Sequence, residues 1–341
     1  MIPTVRDIAK AAGVSLATVD RVLNNRPGVR KATYDKVQQA IKKIGYVRDI
    51  SAANLARRKV YRFVFLLPDS PGPFVSSIRD SLHKVKATQI ADRTQVVVRS
   101  IPINDPHETA RMMDRFAPED IDGVAVMAQE TPQVRDAMVR LRDRNIAVVA
   151  FVSGQPHVAQ DHFVGIDNVA AGRTAAMLMG RFLCRDKAKI LTISHSMLAR
   201  DSLERRFGFD AVMREQFPGV EVLPTLETHR DPVRVGEVIA QSVRVHRNIS
   251  GVYLLVSANT ALLKALREEG LFSSAVTIAH ELTLHTKESL LNGEIDAVIT
   301  QNVGHLVRSA LRVLRSKCDD MKFDPSQEKI RIEIVTRENI H

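Results

Sequence analysis

The sequence predicts an α/β protein: an all-α helix-turn-helix head followed by two doubly wound parallel-sheet lobes. Three observations carry that expectation. Positive charge is concentrated at the N-terminus, two short helical stretches there are split by a glycine, and the remaining chain alternates apolar runs with amphipathic segments. At 341 residues the chain exceeds the roughly 100–150 of a typical domain, so two or three compact units are expected.

The head comes first. Thr4 and Asp7 form a variant capping box, Ile8, Ala11 and Ala12 continue one helical face, and Gly13 breaks it. Ser15 then caps a second helix running from Leu16 to Leu23. Asn24–Gly28 is a loop by turn chemistry, and Val37, Ala40, Ile41 and Ile44 mark a third helix closing at Gly45. The expected core is Ile8, Val14, Val19, Val22, Val37, Ile41 and Ile44. Residues 1–60 hold 13 Lys/Arg against 4 Asp/Glu, leaving 36 against 35 for the rest of the chain. A polyanion partner is therefore implied for the N-terminal segment alone, and nucleic acid is the usual one.

From Tyr61 onward the pattern changes. Apolar or β-branched runs at 62–67, 94–99, 123–127, 147–151, 189–193, 251–256, 276–279 and 297–300 are separated by helical stretches. Strands apolar throughout and spaced this way belong to parallel sheets covered on both faces. About ten strands are too many for one compact half, so two lobes with a ligand cleft at the strand C-termini are expected.

Other classes fail on specific signals. No apolar run approaches the ~18–20 residues that span a bilayer, and the start MIPTVRDIAK lacks the apolar core of a secretory signal. A cytoplasmic protein that makes no use of a membrane is expected. Cys184 and Cys318 give neither a disulfide framework nor zinc spacing, and both are expected to be buried, inert thiols. There is no phosphate-binding Gly-x-x-x-x-Gly-Lys-Ser/Thr loop, no Gly-x-Ser-x-Gly elbow and no cofactor motif, so no enzyme is expected. His280 and His285, read as one helix, would be five residues apart and on divergent faces, which argues against zinc.

The uninterrupted run Thr4-Val-Arg-Asp-Ile-Ala-Lys-Ala-Ala-Gly-Val-Ser-Leu-Ala-Thr-Val-Asp-Arg-Val-Leu-Asn24, with Tyr46 and Ala52-Ala-Asn-Leu-Ala56, resembles the lactose/galactose-repressor family. The resemblance extends over nearly the whole chain. It implies a homodimer on a pseudo-palindromic operator, a hinge helix that folds on DNA, and a sensor like the type I periplasmic sugar-binding proteins. The corresponding divisions are a head over 1–46, a linker over 47–60, a first lobe of 61–166 with 303–328, and a second of 167–302 with 329–341. The function implied is a sequence-specific repressor of a carbohydrate-utilisation operon, controlled by a sugar, polyol or sugar-acid effector between the lobes. Nothing resembling a C-terminal leucine heptad follows Arg331–Val335, so assembly beyond a dimer has no sequence support.

By match to the family, Leu16, Ala17 and Arg21 face bases, with Ser15, Thr18 and Asn24 nearer the backbone. Arginine suits a guanine edge and small apolar groups suit a thymine methyl, although Leu16 could instead be a core leucine. Asp20 departs from the family's usual serine and is expected to turn away from phosphate or to pair with Arg21 or Lys10. In the linker, Arg48-Asp49 replaces the family's Pro-Asn, leaving Asp49 or Ser51 to cap the hinge helix. Leu55 stands where the family wedges a leucine into the minor groove, with packing under the sensor as the alternative. Ala52 lies on the same element, and Arg57, Arg58 and Lys59 fall close to phosphates.

In the sensor, Arg205 falls at the family's ligand-holding arginine, with Arg206 as the competing assignment. Asn259 stands where the family more often has Asp, and Gln301 at a hydrogen-bonding position. Phe74 is placed to stack on a sugar or to serve the core. Ser153 and Arg230 are further candidates at strand ends, while Asp167-Asn168 is expected to cap a helix.

Overall fold

The computed structural model describes residues 3–23, 26–46, 60–69, 72–88, 93–183, 187–229, 231–321 and 323–340. Asn24, Ala52, Leu55, Arg57, Cys184, Arg230 and the linker from 47 to 59 lie outside the described residues. The chain divides into two units, Met1–Lys59 and Val60–His341.

The first unit is built on helices α1 (Val5–Ala12), α2 (Leu16–Leu23) and α3 (Lys31–Ile44). The Thr4 backbone N–H and hydroxyl both donate to Asp7 Oδ2, at 2.8 and 2.7 Å, so the expected box forms with an aspartate. Gly13 ends α1 in the left-handed conformation at φ 63°, which turns the chain sharply enough for α2 to begin three residues later. The Ser15 hydroxyl accepts from the Thr18 backbone N–H at 3.2 Å and starts α2. Ile8, Ala9, Val19, Val22, Val37 and Ala40 form the core, with Val14, Ile41, Ile44 and Tyr46 packed at its margin.

The second unit contains two parallel sheets. The first has the order β2-β1-β3-β4-β5, from Tyr61–Pro68 (β1), Thr94–Ile101 (β2), Gly123–Val126 (β3), Ala147–Phe151 (β4) and His162–Val164 (β5). The second sheet runs β12-β11-β10-β9-β6-β7. Its strands are Ala188–Ser194 (β6), Val220–Val222 (β7), Ile249–Ser257 (β9), Val276–His280 (β10), Ala297–Thr300 (β11) and Glu333–Val335 (β12), with Leu226–Glu227 (β8) also paired to β6. Apart from the antiparallel edge strand β12, both sheets have the same doubly wound order, with a reversal of strand order beside β1 in one and beside β6 in the other.

Three segments connect the sheets. The first leads from β5 to helix Asn168–Leu183, the second from β11 to helix Val303–Cys318, and the third returns from that helix to β12. Helix Val303–Cys318 packs on β1, β3, β4 and β5, so the first lobe is completed by a late part of the chain. Glu328 fixes the return segment by accepting from Ser309 Oγ and from both ends of the Arg312 guanidinium at 2.5–2.8 Å. Cys318 is half-buried rather than buried, and its thiol donates to the Asp122 carbonyl at 3.4 Å.

Helices Asn168–Leu183 and Arg200–Gln216 pack so closely that side chains are excluded from their contact. A Cβ on Gly172 would collide with the Arg205 carbonyl, and one on Gly208 with the Val169 carbonyl. Gly172, Ala176 and Gly180 recur every fourth residue, a ridge of small residues along one helix face. Because Arg205 lies on the facing turn, this contact sets where its side chain emerges. Gly172→Ala should therefore destabilise the second unit by ~1–3 kcal/mol through overpacking, measured by urea unfolding, whereas Gly236→Ala, with no atom within 4 Å of the new Cβ, should not.

Candidate functional site

On the head, Val19 and Val22 take the inward face of α2 and leave Leu16, Ala17, Asp20 and Arg21 exposed. Leu16 is 48% exposed, which decides against its reading as a core leucine. Ser15 is exposed and Thr18 half-buried, their hydroxyls 2.9 Å apart at the start of the helix. Asp20 faces Arg26 at 3.3 Å, a partner that the sequence analysis did not name. The α2 surface thus offers one free-standing apolar side chain, small neighbours and an exposed arginine, a combination suited to base edges.

In the second unit a cleft of about 100 Å³ lies at the C-terminal ends of the strands. It is lined from the first lobe by Gly72–Val75, Met127 and Val152, and from the second by His195, Asp201, Arg205, Val256, Ser257, Asn259 and Glu281. Gly72–Val75 follow β1 and Met127 follows β3, while His195 follows β6 and Val256–Asn259 close β9. The cleft therefore sits over the reversal of strand order in both sheets, where diverging loops leave a crevice.

Its floor is a buried charged network. Arg205 is 3% exposed and donates through Nε to Asn168 Oδ1 at 2.9 Å, through one terminal nitrogen to the Leu255 carbonyl at 2.8 Å, and through the other to Glu281 Oε1 at 3.3 Å. Gln301 Nε2 donates to the same Glu281 oxygen at 2.9 Å. Glu281 Oε2, Gln301 Oε1 and Ser257 Oγ are buried with no hydrogen-bond partner among the described residues. These three atoms stand at the ends of the adjacent strands β10, β11 and β9. Burial raises the Glu281 carboxyl from its ordinary 4.5 to about 6, against the opposing pull of Arg205 and Gln301.

Glu281 owes its position to backbone strain that its neighbours enforce. It has φ 66°, an uncommon conformation for a residue with a side chain. Its N–H donates to the Ile299 carbonyl at 2.9 Å, its own carbonyl accepts from Thr286 Oγ1 at 2.8 Å, and the next N–H, of Leu282, donates to Thr300 Oγ1 at 3.0 Å. Val152, also at the cleft, has φ 64°, held by its N–H to the Val164 carbonyl at 2.8 Å. Such over-determined strain is a feature of ligand clamps.

Beneath the floor, His280 Nε2 is 2.8 Å from the Tyr253 hydroxyl, and Tyr253 stacks on Phe209 at 4.4 Å. Burial and the Arg205 charge hold the imidazole of His280 well below its ordinary pKa, so it is neutral. His280 ends strand β10 and His285 lies in helix Leu284–Leu291, so the two never share the single helix assumed for them. No metal-binding cluster occurs among the described residues. Between the lobes, Arg200 of the second reaches Glu130 of the first at 2.6 Å and Glu204 of its own helix at 2.7 Å.

The structure brings Phe74, Arg205 and Asn259 to the cleft and leaves Ser153 outside its lining, where Val152 stands instead. Phe74 is both a core and a cleft residue. Asn259 Oδ1 is engaged in capping helix Thr260–Glu268 through the Leu262 N–H at 2.9 Å, which leaves its amide NH₂ as the group it offers. Gln301 acts on the cleft through Glu281. Arg206 points elsewhere, bridging Asp210, Thr192 and Thr225. Asp167 does cap its helix, accepting from Ala170 N–H at 2.9 Å, while Asn168 is buried and positions Arg205. Sequence reasoning missed Glu281, Asp201, His195 and Ser257. The signal for Glu281 was present: like Gln301, it directly follows an apolar strand.

Residues 63–321 match the family described as periplasmic binding protein domain, and residues 4–49 match the bacterial regulatory proteins of the lacI family. Through residues 63–321 the chain belongs to the periplasmic-binding-protein domain family, and residues 4–49 form a lacI-family head. The HTH-type transcriptional regulator RegA of Clostridium saccharobutylicum is 27% identical over 80% of this chain and 79% of its own length. The regulator pepR1 of Lactobacillus delbrueckii subsp. lactis is 21% identical over 98% and 97%. With DegA of Bacillus subtilis the 27% identity spans about half of that protein, 51% of its length. Among solved structures, a solute-binding protein of Burkholderia graminis in complex with D-arabinose covers 82% of this chain and 96% of its own, with 21% identity and a TM-score of 0.71. The glucose-galactose binding protein GanP of Geobacillus stearothermophilus covers 83% and 99%, with 18% identity and a TM-score of 0.71. These structures share the fold.

The Glu281 shift has a measurable sign. An acid whose pKa is higher folded than unfolded gains a proton on folding, so its stabilising effect is full at low pH and is lost as pH rises from 4.5 to about 6. The stability of wild type minus that of Glu281→Gln should therefore fall across this window in chemical denaturation. A difference that is flat, or that rises, would mean that Arg205 rather than burial dominates the carboxylate.

Proposed function

We propose that this protein is a sequence-specific DNA-binding transcription regulator of the repressor type, acting on a carbohydrate-utilisation operon, with a small sugar, polyol or sugar acid bound between the sensor lobes as its effector. The observation that carries the proposal is the union, in one chain, of a lacI-type head with an exposed reading face on α2 and a cleft of strand-end polar groups in a periplasmic-binding-protein fold. RegA, pepR1 and DegA, each named an HTH-type transcriptional regulator, support the same reading.

One head presents one short recognition helix, so the working form is a homodimer on a pseudo-palindromic operator. Ser15, Thr18 and Asn24 hold the backbone while Leu16, Ala17 and Arg21 read bases. Ala52, Leu55 and Arg57 form the hinge, with Leu55 inserted in the minor groove. Such a regulator works in the cytoplasm and is not an enzyme. No described helix is long and apolar enough to cross a membrane. The effector contacts Arg205, Asn259 and Phe74, with Gln301 acting through Glu281 and with Ser153 and Arg230 as further candidates. It alters DNA affinity because it favours one arrangement of the lobes over another.

The experiment is selection of binding sites from random DNA with the full chain, followed by footprinting and titration of sugars. A two-fold symmetric site is expected, with affinity falling steeply between 50 and 200 mM salt as counterions are released. A monomer on a single half-site, or a flat salt response, overturns the proposal. Arg21→Ala should lose ~1–3 kcal/mol of discrimination at one base pair per half-site. Uniform weakening across all sequences would instead make Arg21 a phosphate contact.

A further inference from the structure

Resting on the reading of the cleft as the effector site, the chemistry of its floor narrows the effector further. Arg205 is the single Lys or Arg among the described lining residues, and its charge already faces the Glu281 carboxylate in a pair with side chains only 4% and 3% exposed. Asp201 adds a second carboxylate to the lining. Among the described lining residues the positive charge is therefore matched, and one negative charge is left over.

Hydrogen-bond capacity points the same way. Glu281 Oε2 is a buried acceptor without a partner among the described residues, and an ionised carboxylate can only accept. Ser257 Oγ, the Asn259 amide and the remaining N–H groups of Arg205 can donate to a ligand. A hydroxyl meets both demands because it donates and accepts, whereas a ligand carboxylate or phosphate has nothing to give Glu281 and adds like charge beside it. Specificity by an unfavourable pairing of this kind requires no additional attractive contact.

We infer that the effector is an uncharged polyol or aldose, and that Glu281, together with Asp201, is the specificity-determining pair that rejects aldonates and sugar phosphates. Asn168 and Gln301 are positioning residues for this selection, since they hold Arg205 and Glu281 without lining the cleft.

The test is calorimetry on the full chain at neutral pH with matched pairs that differ in one group: xylitol with D-xylonate, D-glucitol with D-gluconate, galactitol with D-galactonate, D-arabinose with D-arabinonate, and D-glucose with its phosphate ester. In any pair that binds, the uncharged member should bind at least about tenfold more tightly. Glu281→Gln should weaken the uncharged member about tenfold and erase the preference, so that the anion binds at least as well. Asp201→Asn should narrow the preference by a smaller factor, and with the wild-type comparison it decides the matter if Glu281→Gln fails to fold. An anion that binds wild type more tightly than its uncharged partner, and loses that binding in Arg205→Met, overturns the inference while leaving the effector site in place. An unchanged preference in a folded Glu281→Gln also overturns it. If no member of any pair binds, the effector site itself is wrong and the inference falls with it.

Discussion

A guanidinium and a carboxylate, both withdrawn from water, meet at 3.3 Å beneath the cleft, and much of the sensor's geometry is organised around keeping them there. Burying such a pair costs several kcal/mol per ion, which the mutual attraction offsets only where the remaining donors and acceptors are also met. Asn168, the Leu255 carbonyl and Gln301 meet most of them. Two of those partners stand at the crossings between lobes: Asn168 begins the helix after the first crossing, and Gln301 directly follows β11 at the second. The floor of the cleft and the hinges are thereby one hydrogen-bonded network. A ligand that pulls on Glu281 meets the second crossing directly through Gln301 and the first through Arg205.

The pair also explains why strain is tolerated at Glu281. A left-handed φ on a residue with a side chain costs of order 1 kcal/mol or more and persists only if the surroundings over-determine it. Here the Ile299 carbonyl, the Thr286 hydroxyl and the Thr300 hydroxyl each take up a backbone group at or beside the residue. The conformation turns the chain at the end of β10, so that an acid rather than an apolar side chain meets Arg205. The close approach of helices Asn168–Leu183 and Arg200–Gln216, made possible by Gly172 and Gly208, supplies the other half of the contact.

What the sequence disclosed follows the range of the interactions. The head was legible nearly residue by residue, because its caps and its left-handed turn at Gly13 are fixed by neighbours in sequence. The long apolar strands were legible too, and so was the pair of parallel sheets. Strands β5, β7, β8 and β12 were not, being two or three residues long and only partly buried. Glu281 escaped for a different reason. Reading His280 through His285 as one helix directed attention to the imidazoles, while the structure ends a strand at His280 and presents the intervening acid to the cleft. That Arg205 would be engaged by protein groups could not be read either, since its partners lie 37, 50 and 76 residues away.

Magnitudes decide which contacts can carry a signal to DNA. The Arg200–Glu130 bridge joins the lobes, but both side chains are more than a third exposed, and such pairs are worth ~0–1 kcal/mol. It biases the arrangement of the lobes without locking it. Moving a two-state equilibrium from one extreme to the other takes about 5.5 kcal/mol of differential affinity. Neutral hydrogen bonds at ~0.5–1.5 kcal/mol each would need to be numerous, whereas bonds to charged groups contribute ~1.5–3 kcal/mol. Only the Arg205–Glu281 floor, among the described lining groups, offers charged partners tied directly to two interlobe crossings. A small ligand with a few hydroxyls can therefore shift the lobes effectively only if it reaches that floor, and a contact confined to the apolar wall at Phe74 and Met127 would bind without switching.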